Sequence, residues 1–304
     1  MLYKFSGAGN DFVVLDGRRA DMEAFRDVRR IGELCREHHT DGLMILNAAP
    51  EADFDMEFYN PDGSGGMMCG NGGRCIVAFA DLLGILPADG KCYRFLAPDG
   101  LHRAKILSRE ADRWTVRLQM IDVKEYRPCK DGWFLNTGTR HFVRFVEDVE
   151  AVDMDSVARP LRWDADFAPE GTNVNFVQAT PEGLRVRTFE TGVEGETLAC
   201  GTGLTASALA AWLSGIRPAG SEVPQAASVP TASVPAASAP TASVPAVSAP
   251  AASVPLSAAP AEDDRLSYRL QCRRGDWLSV DFLPDFTSVH LTGPAENVIF
   301  PAFL

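Results

Sequence analysis

The chain has 304 residues, 46% of them hydrophobic, and carries 41 acidic against 29 basic side chains for a formal charge of −12. That length suits about two ordinary domains; the lack of a long apolar run excludes a membrane-spanning helix, and the acidic balance argues against general affinity for nucleic acid or anionic membrane. No basic segment followed by an apolar core opens the sequence, so a cytoplasmic location is expected, and seven cysteines without metal-ligand spacing predict reduced thiols rather than a disulfide framework or a metal site.

In chain order, strand-like composition marks residues 2–6, 11–16, 43–47 and 53–59. Apolar residues at helical spacing (Met22, Phe25, Val28, Ile31, Leu34, Cys35) predict a helix over 21–38. Continuous helical stretches follow Cys69 and Cys200, and each ends in glycine. Strand-like segments recur at 93–96, 103–108, 113–119, 132–135, 141–146, 173–179 and 183–189, then at 266–272, 277–283 and 287–291. Residues 218–262 interrupt them, with proline at every fifth position from 230 to 260 among Ala, Ser, Val and Thr. Proline removes backbone donors and nothing aromatic anchors the segment, so a polyproline-like or disordered tether is expected. The rest reads as an α+β chain rich in antiparallel pairs.

An internal repeat organises these elements. Residues 69–85 align with 200–216 at a fixed offset of 131, matching Cys69 with Cys200, Gly70 with Gly201, Gly72 with Gly203, Ala80 with Ala211, Leu82 with Leu213, Gly84 with Gly215 and Ile85 with Ile216. Phe58 and Phe189 pair at the same offset upstream. The chain is therefore two copies of one α/β unit, and a site between them receives matching loops from each.

Each copy presents a cysteine, then Gly-x-Gly, then a helix. Free N–H groups at a helix start, with the helix dipole, form a cradle for a carboxylate. The same potential is expected to lower a cysteine's pKa from about 8.5. Two such cysteines in pseudo-symmetric halves suit inversion of a stereocentre, with one proton leaving one face of a carbon while another arrives on the opposite face. One sulfur must be thiolate and the other thiol. Cys-x-x-Cys, dinucleotide-binding and Walker-type patterns are all missing, so no cofactor is expected. The remaining cysteines (35, 75, 92, 129, 272) read as small hydrophobic side chains.

The segments FSGAGNDFVVLD (5–16), FYNPDGSGGMMCGNGGRC (58–75), NTGTRHFV (136–143), GTNVNFV (171–177) and FETGVEGETLACGTG (189–203) resemble, in order, the signature blocks of the diaminopimelate epimerase family. The resemblance implies two pseudo-symmetric halves, each a mixed, largely antiparallel, β-barrel-like sheet around a central helix. It gives an N-terminal half of 1–122 joined by 294–304, and a C-terminal half of 123–293 containing the insert. It implies interconversion of LL- and meso-diaminopimelate by a homodimer, in lysine and peptidoglycan precursor synthesis. Cys200 becomes the base at the L-centre and Cys69 the acid, with His141 and Glu190 flanking the reacting amino group and carboxylate. Substrate contacts fall to Asn10, Asn60, Asn173, Gly70, Asn71, Gly201 and Thr202, and to Glu190 and Thr191. One position departs from the pattern: Thr191 stands where the family usually has the arginine that grips the distal carboxylate. Arg140, in place of the usual proline before His141, is a candidate replacement; the alternative is a racemase of the same fold acting on another amino acid.

Overall fold

A computed structural model describes residues 2–18, 21–65, 69–218 and 265–298, so the proline-rich insert, apart from its first residue, lies outside the described residues. β1 (Leu2–Ser6) and β2 (Asp11–Asp16) pair antiparallel, and α1 (Val28–Glu37) leads to β3 (Gly42–Asn47), parallel to β2. The helix expected over 21–38 is split. Residues 23–25 form one 3-10 turn, and Asp27 then starts a new helix, its extended backbone letting the carboxylate accept from the N–H groups of Arg29 and Arg30 at 3.1 and 3.0 Å.

β4 (Phe54–Tyr59), α2 (Gly70–Leu82), β5 (Tyr93–Ala97), β6 (Gly100–Glu110) and β7 (Arg113–Gln119) complete the first half. The second contains β8 (Tyr126–Cys129), β9 (Gly132–Asn136), β10 (Arg140–Phe145), the one-turn α3 (Arg159–Arg162), β11 (Asn173–Thr180), β12 (Gly183–Glu190) and the short β13 (Gly195–Thr197). It continues through α4 (Gly201–Leu213), β14 (Leu266–Gln271), β15 (Trp277–Phe282) and β16 (His290–Asn297). β1 to β7 pair in a row, and β16 joins β7 to β1, closing an eight-stranded mixed barrel. From β16 the sheet runs on through β15, β14, β12, β11, β10 and β9 to β8.

β16 thus belongs to both halves, and its register explains how. His290 to Thr292 pair with β15, whereas Glu296 and Asn297 pair with β1. Gly293, Pro294 and Ala295 between them pair only with β7. A proline, which has no N–H to give, is tolerated where one side of the strand changes partners.

Each half holds a helix without a polar face. Residues 70–80 of α2 are all buried, and α4 is buried from Gly203 to Ala211, the pattern of a helix enclosed on every side. One core cluster spans both helices and both halves, from Phe5, Phe79 and Trp114 to Leu204, Tyr268 and Phe282. A second covers the outer face of the C-terminal sheet with Phe134, Phe142, Phe167, Phe176 and Phe189. β10 divides between them: Val143 faces inward and Phe142 outward. Among the described residues no helix is long and apolar enough to cross a membrane.

Candidate active site

Cys69 and Cys200 occupy matching places, each the extended residue that precedes a central helix. The Gly72 N–H donates to Cys69 Sγ at 3.1 Å, and Cys200 Sγ lies 3.3 Å from the Thr202 hydroxyl. The two helix starts meet. A β-carbon at Gly70 would stand 3.6 Å from the Gly201 α-carbon, and one at Gly201 would stand 3.4 Å from that of Gly70 and 2.9 Å from Leu291 Cδ2. Glycine is the residue that permits this approach. Asn71 fastens the junction, donating through Nδ2 to Asn10 Oδ1 at 2.6 Å and to the carbonyl of Ala199, just before Cys200, at 3.4 Å.

Three adjacent strand ends supply the polar wall. His141 on β10 is in register with Asn173 on β11, and the Val174–Phe189 pair sets Asn173 beside Glu190 at the end of β12. The Asn173 amide holds the neighbouring backbones, donating to Arg140 O at 2.9 Å and accepting from Thr191 N–H at 2.7 Å. His141 is fully buried, with Nδ1 3.0 Å from Asn175 Nδ2 and Nε2 3.0 Å from Thr202 Oγ1 and 2.9 Å from Thr139 Oγ1. The Thr188 hydroxyl donates to Asn175 Oδ1 at 2.9 Å, which turns the amide N–H toward Nδ1. Nδ1 is then the acceptor and Nε2 carries the proton toward Thr202.

Burial dominates the electrostatics. It lowers the His141 pKa to about 3, against a smaller opposing effect from Asn175, so the ring is neutral at physiological pH. It raises Cys69, with the Gly72 N–H and the Arg74 charge pulling the other way and Glu190 adding to the rise. Cys200 is raised well above its ordinary value by burial and then by Glu190, opposed by the Thr202 hydroxyl and Gly203 N–H. Glu190 itself is raised by burial, against hydrogen bonds with Thr197 and Cys200. Both thiols move in the direction opposite to that expected of a helix start, because desolvation outweighs the dipole. Glu190 acts on both thiols, which places both in one electrostatic environment.

The other anticipated residues divide. Asn60 uses its amide on the Ser64 hydroxyl at 3.0 Å, inside the 60–64 turn, and bonds to neither cysteine. Thr191 is exposed, anchored through its backbone N–H. Arg140 points away from the thiols: its guanidinium lies 5.3 Å from the outward Phe134 ring and pairs with Glu170, so the suggested replacement for the missing arginine is on the wrong face of β10. Cys35, Cys75, Cys129 and Cys272 are buried and Cys92 is partly exposed. Four participants escaped the sequence reading: Arg74, Thr139, Asn175 and Thr188. Asn175 carried a usable signal, since two residues after Asn173 on a strand it shares the same face.

Residues 2–116 and 133–228 match the profile of the family described as diaminopimelate epimerase. The diaminopimelate epimerase of Chlorobaculum tepidum is 41% identical over 213 residues, covering 67% of this chain and 80% of that protein. That of Aquifex aeolicus is 41% identical over 232 residues, covering 70% and 82%. Two solved structures share the fold alone: a PhzF-family phenazine biosynthesis protein from Bacillus anthracis, at TM-score 0.64 and 10% identity over 100% of this chain and 98% of that one, and a protein described as a predicted epimerase from Pseudomonas aeruginosa, at TM-score 0.61 and 13% identity over 98% and 96%. With the family profile covering well over half of its length, the chain belongs to the diaminopimelate epimerase family.

Proposed function

We propose that this protein is an isomerase that interconverts LL- and meso-diaminopimelate by transferring protons between the substrate's α-carbon and the two sulfurs, with no cofactor. The observation that carries the reading is the meeting of two duplicated cysteine-headed helix starts at Gly70 and Gly201. In the L-to-D direction Cys200 thiolate takes the α-proton, forming an S–H bond as the C–H bond breaks. Cys69 thiol returns a proton to the opposite face and becomes the thiolate. Charge is conserved, and the reverse reaction exchanges the roles. The first-turn N–H groups of α2 and α4 lie where negative charge develops on the substrate carboxylate, the arrangement that stabilises such a transition state. Asn10, Asn71 and Asn173 position the helix starts and strand ends around it, and Asn60 belongs to the turn at its margin.

This reading places the enzyme in the cytoplasm, as a homodimer, in lysine and peptidoglycan precursor synthesis. The test is incubation of the reduced protein with LL-diaminopimelate in deuterated water. Deuterium uptake at one α-carbon, with appearance of the meso isomer, is the expected result. No uptake from diaminopimelate, with uptake into another amino acid, would assign a racemase of the same fold, the reading that Thr191 favours.

A further inference from the structure

Three arginines of the described chain are buried, and two have a carboxylate partner: Arg162 pairs with Glu194 at 3.2 Å and Arg187 with Glu196 at 2.6 Å. Arg74 does not. It is fully buried on α2, and its guanidinium donates only to neutral acceptors: Gly70 O at 3.0 Å, Gly7 O at 3.3 Å, Asn71 Oδ1 at 2.9 Å and Pro294 O at 3.2 Å. Among the described residues no carboxylate lies within ion-pair distance of it. A buried charge without a counterion is costly enough to demand an explanation.

The groups that feel its field are the thiols of Cys75, Cys69 and Cys272, and then Asp276. Asp276 faces Arg274, at 3.5 Å. Burial drives all three thiols upward, but only Cys69 belongs to the acid–base pair in which one sulfur must be thiolate, and it heads the turn whose Gly70 carbonyl Arg74 holds. Cys69 is therefore the candidate, and it already accepts the Gly72 N–H. Glu190, from the end of β12, is the acidic group facing it.

The duplication supplies an internal control. Arg74 aligns with Thr205 on α4. Thr205 Oγ1 donates to Gly201 O at 3.0 Å, as Arg74 Nη1 donates to Gly70 O at 3.0 Å. The same carbonyl of the same turn is held in both halves, but one holder is charged and the other neutral. Cys200, on the neutral side, has the Thr202 hydroxyl at 3.3 Å and is raised by the neighbouring Glu190.

We propose that the site's resting negative charge sits on Cys69, with the buried guanidinium of Arg74 as its countercharge. The halves are then chemically unequal before substrate arrives, and the free enzyme is poised to abstract from the face that Cys69 serves. Arg74 touches neither substrate nor reacting atoms; it is a positioning residue that sets where the proton of the thiol pair resides. The proposal rests on reading the two thiols as an acid–base pair.

The test is pH-dependent alkylation of the reduced, substrate-free protein by iodoacetamide, resolved residue by residue by peptide mass spectrometry. Titration midpoints are compared rather than rates, because the two sulfurs differ in exposure. Cys69 is expected to titrate about one pH unit or more below Cys200, a tenfold difference in thiolate population. Arg74→Thr, which copies the α4 residue and retains a hydroxyl for Gly70 O, is expected to raise the Cys69 midpoint by about one unit and leave Cys200 unmoved. Equal or reversed midpoints in the unaltered protein overturn the proposal, and that measurement stands even if the variant fails to fold. A variant that folds and moves both midpoints together, or neither, also overturns it. Deuterium uptake from diaminopimelate is scored separately: its loss sinks the functional reading and leaves the thiol order as measured.

Discussion

Cys69 and Cys200 are interchangeable in sequence position but not in surroundings, and each has a distinct duty if both are needed in every turnover. Replacing either with serine, whose hydroxyl ionises far less readily, is expected to lower kcat by about 10²- to 10⁴-fold, the scale of a lost acid or base. Thermal unfolding should change little, since one sulfur becomes one oxygen. Steady-state assays in both directions check this, and a variant retaining near-full rate in either direction excludes the two-base scheme. His141 invites a different measurement. A histidine in the unfolded chain takes up a proton below about 6.5, whereas buried His141 resists down to about 3. Unfolding therefore binds a proton between those values, and His141 makes the protein less stable as pH falls through that window. Between pH 7 and pH 5 the loss attributable to it is about 2 kcal/mol. Denaturant unfolding of the protein and of His141→Gln should show that the variant loses about this much less between the two pH values; an equal loss in both would mean that the ring is not held neutral. The repeat picked out the two cysteines, whereas His141 and Glu190 were named only through the family resemblance. Arg74 was not singled out, although a lone cation within the apolar run after Cys69 is itself a signal, because sequence does not reveal that its neighbours are all neutral.

At the scale of elements, the contact of α2 with α4 sets the spacing of the two sulfurs. Gly201→Ala would put a methyl 2.9 Å from Leu291 Cδ2 and 3.4 Å from the Gly70 α-carbon. Alanine favours helix, so overall stability should move by no more than about 1 kcal/mol, but the helix starts must part by a few tenths of an ångström. Misplacement on that scale at a reacting centre is expected to lower kcat/KM by about 10- to 100-fold. Kinetics paired with a melting curve check the prediction, and unchanged kcat/KM with normal folding would mean that the junction does not govern the chemistry. Most strands were readable from alternation and β-branched content. The exceptions have physical causes. β8 contains Pro128 and is largely exposed, so neither propensity nor alternation marks it. β13 is three residues long and pairs only with β12. β16 carries Gly293-Pro294 in its middle, a pair that reads as a break in isolation and becomes a strand only because the partner on one side changes there.

At the scale of the whole molecule, the repeat at offset 131 announced two related halves, but not that a strand near the chain's end would belong to both. That sharing places β16, with Leu291 against both helix starts, at the seam where the site lies. It also makes the second half dependent on the chain returning after the insert, through β14 and β15, to the first half's barrel. The return is anchored locally: the Tyr268 hydroxyl donates to Ile216 O at 2.6 Å, bridging the segments on either side of the insert. Because those segments already touch, a short connection suffices. Replacing residues 219–264 with a Gly/Ser linker about one eighth as long removes three doublings of loop length, worth about 2 kcal/mol of closure entropy if the insert is an uncontacted tether. The expected outcome is kcat and KM within about twofold of the full chain and unfolding stability raised by up to that amount. Calorimetry and epimerisation assays on the shortened protein check it. A lower rate with intact folding would assign the insert to the working enzyme, whereas a lower stability would mean that it packs against the rest of the chain.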